Sequence, residues 1–179
     1  RWWDFIAPQL TDQYQIAAMD LTGMGDSDYR YEYSSKTYAE EILSVIDDAG
    51  LGDDAIVVAH SFGGYMAVKA ANLHPEKFGG LVLVDSGIRH PDEPIPERPN
   101  MGGMQGKIYP DRESALKRFR LQPPQPCENE YILQYIARHS LMPIDGGWAW
   151  KFDEDLLTTL TEVDRQPEDF QSLTVPLGV

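Results

Sequence analysis

Three features of this sequence predict an α/β fold, a parallel sheet with helices on both faces. Apolar β-branched runs alternate with segments of helical periodicity. The runs are nearly continuously apolar, as strands buried on both faces are. The run Ile56-Val57-Val58-Ala59-His60 then passes through Ser61 into Phe62-Gly63-Gly64-Tyr65-Met66-Ala67, a strand-to-helix junction built on a serine and two glycines.

In chain order, Trp2 and Trp3 read as the start of a helix with one side toward the core. Tyr14 to Asp20 alternates toward a buried strand, and Leu21-Thr22-Gly23-Met24-Gly25-Asp26-Ser27 breaks it as a loop. Thr37-Tyr38-Ala39-Glu40 fits a capping box, and Tyr38, Ile42, Val45, Ile46 and Ala49 recur at helical spacing until Gly50 and Gly52. Ala55 to Ala59 is the next strand. Phe62 to Leu73 is a helix stopped near His74-Pro75, and Leu81 to Val84 is a further strand. The resulting β-α-β-α-β order calls for right-handed crossovers and a parallel sheet.

Beyond Asp85, Pro91, Pro94, Pro96 and Pro99 mark a loop. Helical patterns follow at Asp111 to Leu121 and Glu128 to Leu141, the second carrying Ile132, Tyr135, Ile136 and His139 on one face. With Pro123-Pro124 and Gly146-Gly147-Trp148-Ala149-Trp150 between and beyond them, this stretch reads as a helical insert over the sheet. Leu173 to Val179 begins another apolar strand. The expected division is core 1–86, helical cap insert 87–165, and return to the core at 166–179.

The 179 residues suffice for one core, burying about 70% of the unfolded surface. With 42% hydrophobic and 25% charged residues the composition is globular, and no stretch has the apolar length of a membrane span. The formal net charge of −14 repels nucleic acid and anionic lipid, so the expected partner is a small molecule; nothing indicates the oligomeric state. The single Cys127 cannot form an internal disulfide, and Pro126 and Glu128 beside it offer no basic group to activate it. A cytoplasmic location is the inference. The opening Arg1-Trp2-Trp3 leaves a removed or unread leader open.

The junction at Ser61 has the form of a nucleophile elbow, in which a serine occupies a sharp strand-to-helix bend. Small residues are expected two positions either side, and these are Ala59, in place of the usual glycine, and Gly63. A surface serine in an ordinary βα loop would leave the clustered glycines unexplained.

Strand, Asp20-x-x-Gly23-x-Gly25-x-Ser27 loop, helix, elbow, helix, strand ending Val84-Asp85-Ser86, then a helical insert: this succession resembles the α/β-hydrolase fold family, serine-nucleophile branch, over nearly the whole chain. A dinucleotide-binding reading of Gly23-Met24-Gly25 is disfavoured, since Asp28 stands where a third glycine would be. The resemblance implies that Ser61 attacks a carbonyl and forms an acyl-enzyme, with the Phe62 N–H as one oxyanion donor and with no metal or organic cofactor. It also implies a second oxyanion donor before Arg1, and an acid and a histidine base after Val179. The chain is therefore expected to be a piece cut at both ends and inactive alone.

Within the chain, Asp85 is the alternative acid, against the plainer reading that it caps the strand end through backbone N–H groups. His60 is expected to pack beneath the elbow, His74 to meet the dipole at a helix end, His90 to lie in the proline loop and His139 on an insert helix. Trp148, Trp150, Phe152, Tyr131, Tyr135 and Met142 line an acyl pocket or simply pack the insert. The activity implied is hydrolysis of an ester, thioester, amide or related carbonyl compound. Its rivals are acyl transfer or C–C bond hydrolysis on the same fold, and a non-catalytic ligand receptor.

Overall fold

The computed structural model describes residues 1–87, 106–121, 124–161 and 167–179. In chain order, β1 (Tyr33–Ser34) leads into α1 (Ser35–Asp48), β2 (Ala55–His60), α2 (Phe62–Leu73) and β3 (Phe78–Val84). β2 and β3 pair in parallel from Ala55 opposite Phe78 to His60 opposite Val84, with a register shift after Ala55. β7 (Leu177–Gly178) adds a third parallel strand at Leu81 and Val82. The α/β fold with parallel strands and crossover helices is the one expected, and the bounds of α2 match those read from the sequence.

The strands alternate. Ala55, Ala59, Phe78, Leu81 and Leu83 are buried, while Ile56, Val58, Val82 and Val84 on the other face are exposed. Beneath the buried face lie Tyr38, Ala39, Ile42 and Ile46 of α1 and Met66, Ala67, Val68, Ala70 and Ala71 of α2. The alanines let two helix backbones and the sheet approach closely. Asn72 Nδ2 donates to Asp169 O at 2.7 Å, tying α2 to α6 (Pro167–Gln171), whose Phe170 ring meets Tyr65 edge to face at 6.5 Å.

Three local expectations give way. Tyr14 to Asp20 forms no strand: residues 14–18 are exposed and no described strand lies beside them, and a ladder needs a partner. What holds this segment instead is Gln15 Nε2 donating to Ala49 O at 2.6 Å. The helix cap is Ser34, not Thr37; Ser34 Oγ accepts from Thr37 N at 3.0 Å, so Thr37 is the third helical residue. Trp2 is 59% exposed rather than turned to the core. The segment packs instead on the insert, with Tyr135 Oη donating to Asp4 Oδ2 at 2.7 Å and Phe5 edge-on to Tyr135 at 5.1 Å.

The loop after residue 20 follows from its own residues. Asp20 Oδ2 accepts from Asp26 N at 2.9 Å, and Ser27 Oγ donates to Asp20 O at 2.6 Å. Gly25, at φ 60, leaves room for the Asp20 carboxylate where any Cβ would collide with it.

In the described part of the insert, α3 (Arg112–Leu116) and α4 (Glu130–His139) are shorter than the helical patterns suggested. After α4 comes an antiparallel hairpin, β4 (Leu141–Ile144) with β5 (Gly147–Trp150), which the expectation of helices did not include. Its turn is Asp145-Gly146, with Gly146 at φ 89. Tyr109, Ala115, Leu141 and Trp150 form a second buried cluster here, flanked by Leu116, Phe119 and Trp148. α5 (Leu156–Thr159) then leads into β6 (Leu160–Thr161), which pairs in parallel with β1, Tyr33 opposite Leu160 and Ser34 opposite Thr161.

Candidate active site

Ser61 leaves β2 at φ 48 and ψ −116, a conformation an L-residue adopts only under restraint, at a cost of roughly 1–3 kcal/mol. Both of its backbone groups are held. Ser61 N donates to Val84 O of the neighbouring strand at 2.9 Å, and Ser61 O accepts from Gly64 N at 3.0 Å and from Ser86 Oγ at 3.0 Å. The tight position in the turn is Gly64 rather than Gly63. A Cβ on Gly64 would lie 2.6 Å from Ser86 Cβ, whereas one on Gly63 would meet no described atom within 4 Å. Ala59, the other expected small residue, is buried at the base of the turn.

As the first residue of α2, Phe62 has no intrahelical acceptor for its N–H, and among the described residues none accepts from it beside Ser61. Its ring stands edge-on to Tyr38 at 5.6 Å, and Tyr38 stacks on Tyr33 at 5.9 Å. Tyr38 Oη donates to Thr22 O at 3.0 Å. Tyr33 Oη donates to Oδ2 of the buried Asp153, and Arg30 N donates to Tyr33 Oη at 2.9 Å. Burial first, and then the bond to Asp153, push the Tyr33 hydroxyl up to about 12. Asp153 N also donates to Gly23 O at 2.8 Å, so the aromatic row from Phe62 ends where the insert joins the loop at residues 20–27. The sequence pattern placed Tyr38 on the apolar face of α1 and Ser86 at a strand end but gave neither a part in the site, and it singled out neither Tyr33 nor Asp153. Their roles come from contacts between residues distant in the chain, and only the placement of Ser86 directly after the strand end was a usable signal.

Asp85 sits at the end of β3 as Ser61 sits at the end of β2, and it too has positive φ, 52. It is exposed, and no hydrogen bond to a described residue caps the strand through it, against the plainer reading. The histidines scatter. His60 is exposed rather than packed beneath the turn, His74 Nδ1 lies 3.0 Å from Glu76 Oε1, and His139 lies against Tyr135 at 4.4 Å. His90 and Pro91 to Pro99 lie outside the described residues. Among the described residues no histidine is hydrogen-bonded to Ser61 Oγ.

Of the aromatic candidates, Trp150 is buried in the insert's own cluster, Trp148 lies under Arg112 at 5.5 Å, and Phe152 packs against the main core. Tyr131 is exposed, Tyr135 is taken up by Asp4 and Phe5, and Met142 is half-buried in β4. Packing therefore accounts for Trp150 and Phe152. A polar cleft lined by Thr22, Asp26, Ser27, Asp28, Tyr29 and Arg30 lies open to solvent, but Arg30 Nε is already committed to Thr22 Oγ1 and Glu41 Oε1, both at 3.0 Å. Among the described residues no group of His, Cys, Asp and Glu side chains could hold a metal ion, and no helix is long and apolar enough to cross a membrane. Cys127 is exposed, with Sγ 3.7 Å from Asn129 O.

A strained serine between a parallel strand and a helix, its turn tied to the next strand, is the arrangement of a hydrolase of the α/β class. The α/β hydrolase fold family model matches residues 1–122, and the chain belongs to that family. A pimeloyl-[acyl-carrier protein] methyl ester esterase of Neisseria meningitidis is 30% identical over 120 residues, covering 65% of this chain and 37% of that protein. Esterase Rv0045c of Mycobacterium tuberculosis is 26% identical over an alignment of 182 residues, covering 98% of this chain and 59% of that protein. The chain thus spans roughly a third to three fifths of these relatives' lengths. Among solved structures, a thioesterase domain from the curacin biosynthetic pathway superposes with a TM-score of 0.71 at 25% identity, over 98% of this chain and 66% of that one. An E-2-(acetamidomethylene)succinate hydrolase superposes with a TM-score of 0.74 at 20% identity, over 98% and 66%, a likeness of fold alone.

Proposed function

We propose that the whole protein hydrolyses carboxylic esters through an acyl-enzyme on Ser61. The observation that carries this reading is the Ser61 backbone at φ 48, held by Val84, Gly64 and Ser86 beside the Phe62 N–H. An ordinary loop serine has no reason to bear that strain. Esters are preferred over thioesters and amides because the two relatives described above are named as esterases.

In the reaction, Ser61 Oγ bonds to the ester carbonyl carbon while its proton passes to a general base, and the carbonyl oxygen gathers charge opposite the Phe62 N–H. Collapse expels the alcohol, which takes the proton back from the base. Water then attacks the acyl-serine, releasing the carboxylic acid and restoring the hydroxyl. The base is a histidine supplied by the whole protein, oriented by an acid of that protein or by Asp85. None of the described histidines is hydrogen-bonded to Ser61 Oγ, and the 179 residues alone turn esters over only slowly.

The test is covalent labelling of the whole protein with a fluorophosphonate, followed by peptide mass spectrometry. The label is expected on Ser61, and Ser61→Ala is expected to lower turnover of p-nitrophenyl acetate by about 10³-fold or more. Undiminished turnover in Ser61→Ala would sink the nucleophile assignment.

A further inference from the structure

We propose that Ser86 is a positioning residue for the nucleophile, its hydroxyl holding the Ser61 carbonyl so that the strained turn keeps Ser61 Oγ and the Phe62 N–H aligned. This rests on the reading of Ser61 as nucleophile. Ser86 lies two residues beyond β3, on the chain that pairs with β2, and is 4% exposed. Its single hydroxyl proton has two acceptors within reach, Ser61 O at 3.0 Å and Val84 O at 3.3 Å. Each carbonyl already accepts one backbone N–H, Val84 O from Ser61 and Ser61 O from Gly64, and Ser61 O is the nearer acceptor for the Ser86 hydroxyl.

The neighbourhood is shaped around that hydroxyl. Gly64 carries no side chain at the one place where a Cβ would run into Ser86, and Asp85, just before Ser86, adopts φ 52 although it is not glycine. Two non-glycine residues thus hold positive φ at adjacent strand ends, and Ser86, which directly follows one of them, donates to the carbonyl of the other. A bend held only by Gly64 N would leave the Ser61 carbonyl free to swing and with it the peptide that carries the Phe62 N–H, because that N–H and the Ser61 C=O belong to one rigid unit. The Ser86 bond therefore acts on the oxyanion donor through the plane of a single peptide.

The test compares wild type, Ser86→Ala and Ser86→Cys in the whole protein. It reads kcat and KM for p-nitrophenyl acetate, the rate of fluorophosphonate labelling at Ser61, the far-UV circular dichroism and Tm. Ser86→Ala is expected to lower kcat and the labelling rate about 10-fold with KM within about twofold, because the bond serves the transition state more than substrate binding. Ser86→Cys, which keeps a weak donor at the same place, is expected to fall between. A labelled Ser61 with Ser86→Ala at the wild-type kcat overturns this proposal alone, as does a kcat that falls only in step with Tm and the circular dichroism. A wild-type Ser61 that takes no label overturns the nucleophile reading, and this proposal with it.

Discussion

The ground beneath Ser61 and the cluster around Trp150 are both buried and apolar, yet alanine and glycine are far more numerous in the first. Under Ser61 the small residues Ala39, Ala55, Ala59, Gly64, Ala67, Ala70 and Ala71 let α1, α2 and the sheet approach closely, with Tyr38, Ile42, Met66, Leu81 and Leu83 filling the space between them. In the insert a few large side chains, Tyr109, Leu141 and Trp150 with Phe119 and Trp148 beside them, fill the space. The first design sets the distance between backbones and so can hold a strained turn. The second sets a shape by filling it, and concentrates much of its stability in one ring. Chemistry and bulk stability should therefore separate between the two regions.

The sharpest way to break that separation is Trp150→Ala. Emptying its site is expected to cost about 3–5 kcal/mol in urea unfolding of the whole protein, while fluorophosphonate still labels Ser61. Loss of labelling together with that stability would show that the two regions are one mechanical unit. Gly64→Ala is expected to do the reverse. Forcing a methyl group against Ser86 should cost about 1–3 kcal/mol in the same unfolding experiment but remove most of the labelling at Ser61. A neutral Gly64→Ala would end the claim that backbone spacing governs the turn.

Tyr33→Phe tests the joint between the regions. It removes the hydroxyl that Asp153 accepts from, and is expected to cost about 1–3 kcal/mol. The joint also has a pH signature. Because the folded-state pKa of Tyr33 is raised to about 12 from an ordinary 10.0, the folded form keeps a proton that the unfolded chain gives up. The contribution is thus fully present below about pH 10 and is lost as the pH rises from 10 toward 12. Denaturation midpoints measured across that range should fall less steeply in Tyr33→Phe; Tyr38, also raised by burial, supplies part of the slope that remains. An unchanged slope would remove Tyr33 from the account. The smallest effect is expected at Gly63→Ala, where a methyl group meets open space on a helical residue: thermal unfolding should show a change within about 1 kcal/mol, on the stabilising side.

Where the sequence was informative, local chemistry was enough. Phe62 to Leu73 could be bounded because a glycine pair opens it and His74-Pro75 closes it, and β2 up to its last residue, His60, and β3 are apolar runs. Tyr14 to Asp20 misled because alternation reports a tendency to extend, whereas a strand also needs a neighbour that the pattern cannot show. Two hydroxyls three residues apart compete for the cap: Thr37 has Glu40 at the capping-box spacing and so drew the reading, whereas Ser34, with Thr37 at that spacing, is the residue that caps. The insert hairpin was legible in Asp145-Gly146 but was overshadowed by the helical pattern before it. Ser86, Tyr33 and Asp153 stayed hidden, since partners 25 and 120 residues apart leave no periodic trace.

The ties on Ser61 also bear on when the molecule becomes reactive. Gly64 is local, but Val84 and Ser86 arrive only after the chain has run through all of α2 and back along β3. Closing such a parallel crossover is a non-local, slow event in folding. Until it closes, Ser61 is an ordinary serine in a relaxed chain, no more nucleophilic than its neighbours on a nascent polypeptide. The bend exists only once the crossover is complete, so a half-folded molecule emerging during synthesis lacks the geometry on which the role proposed for Ser61 depends.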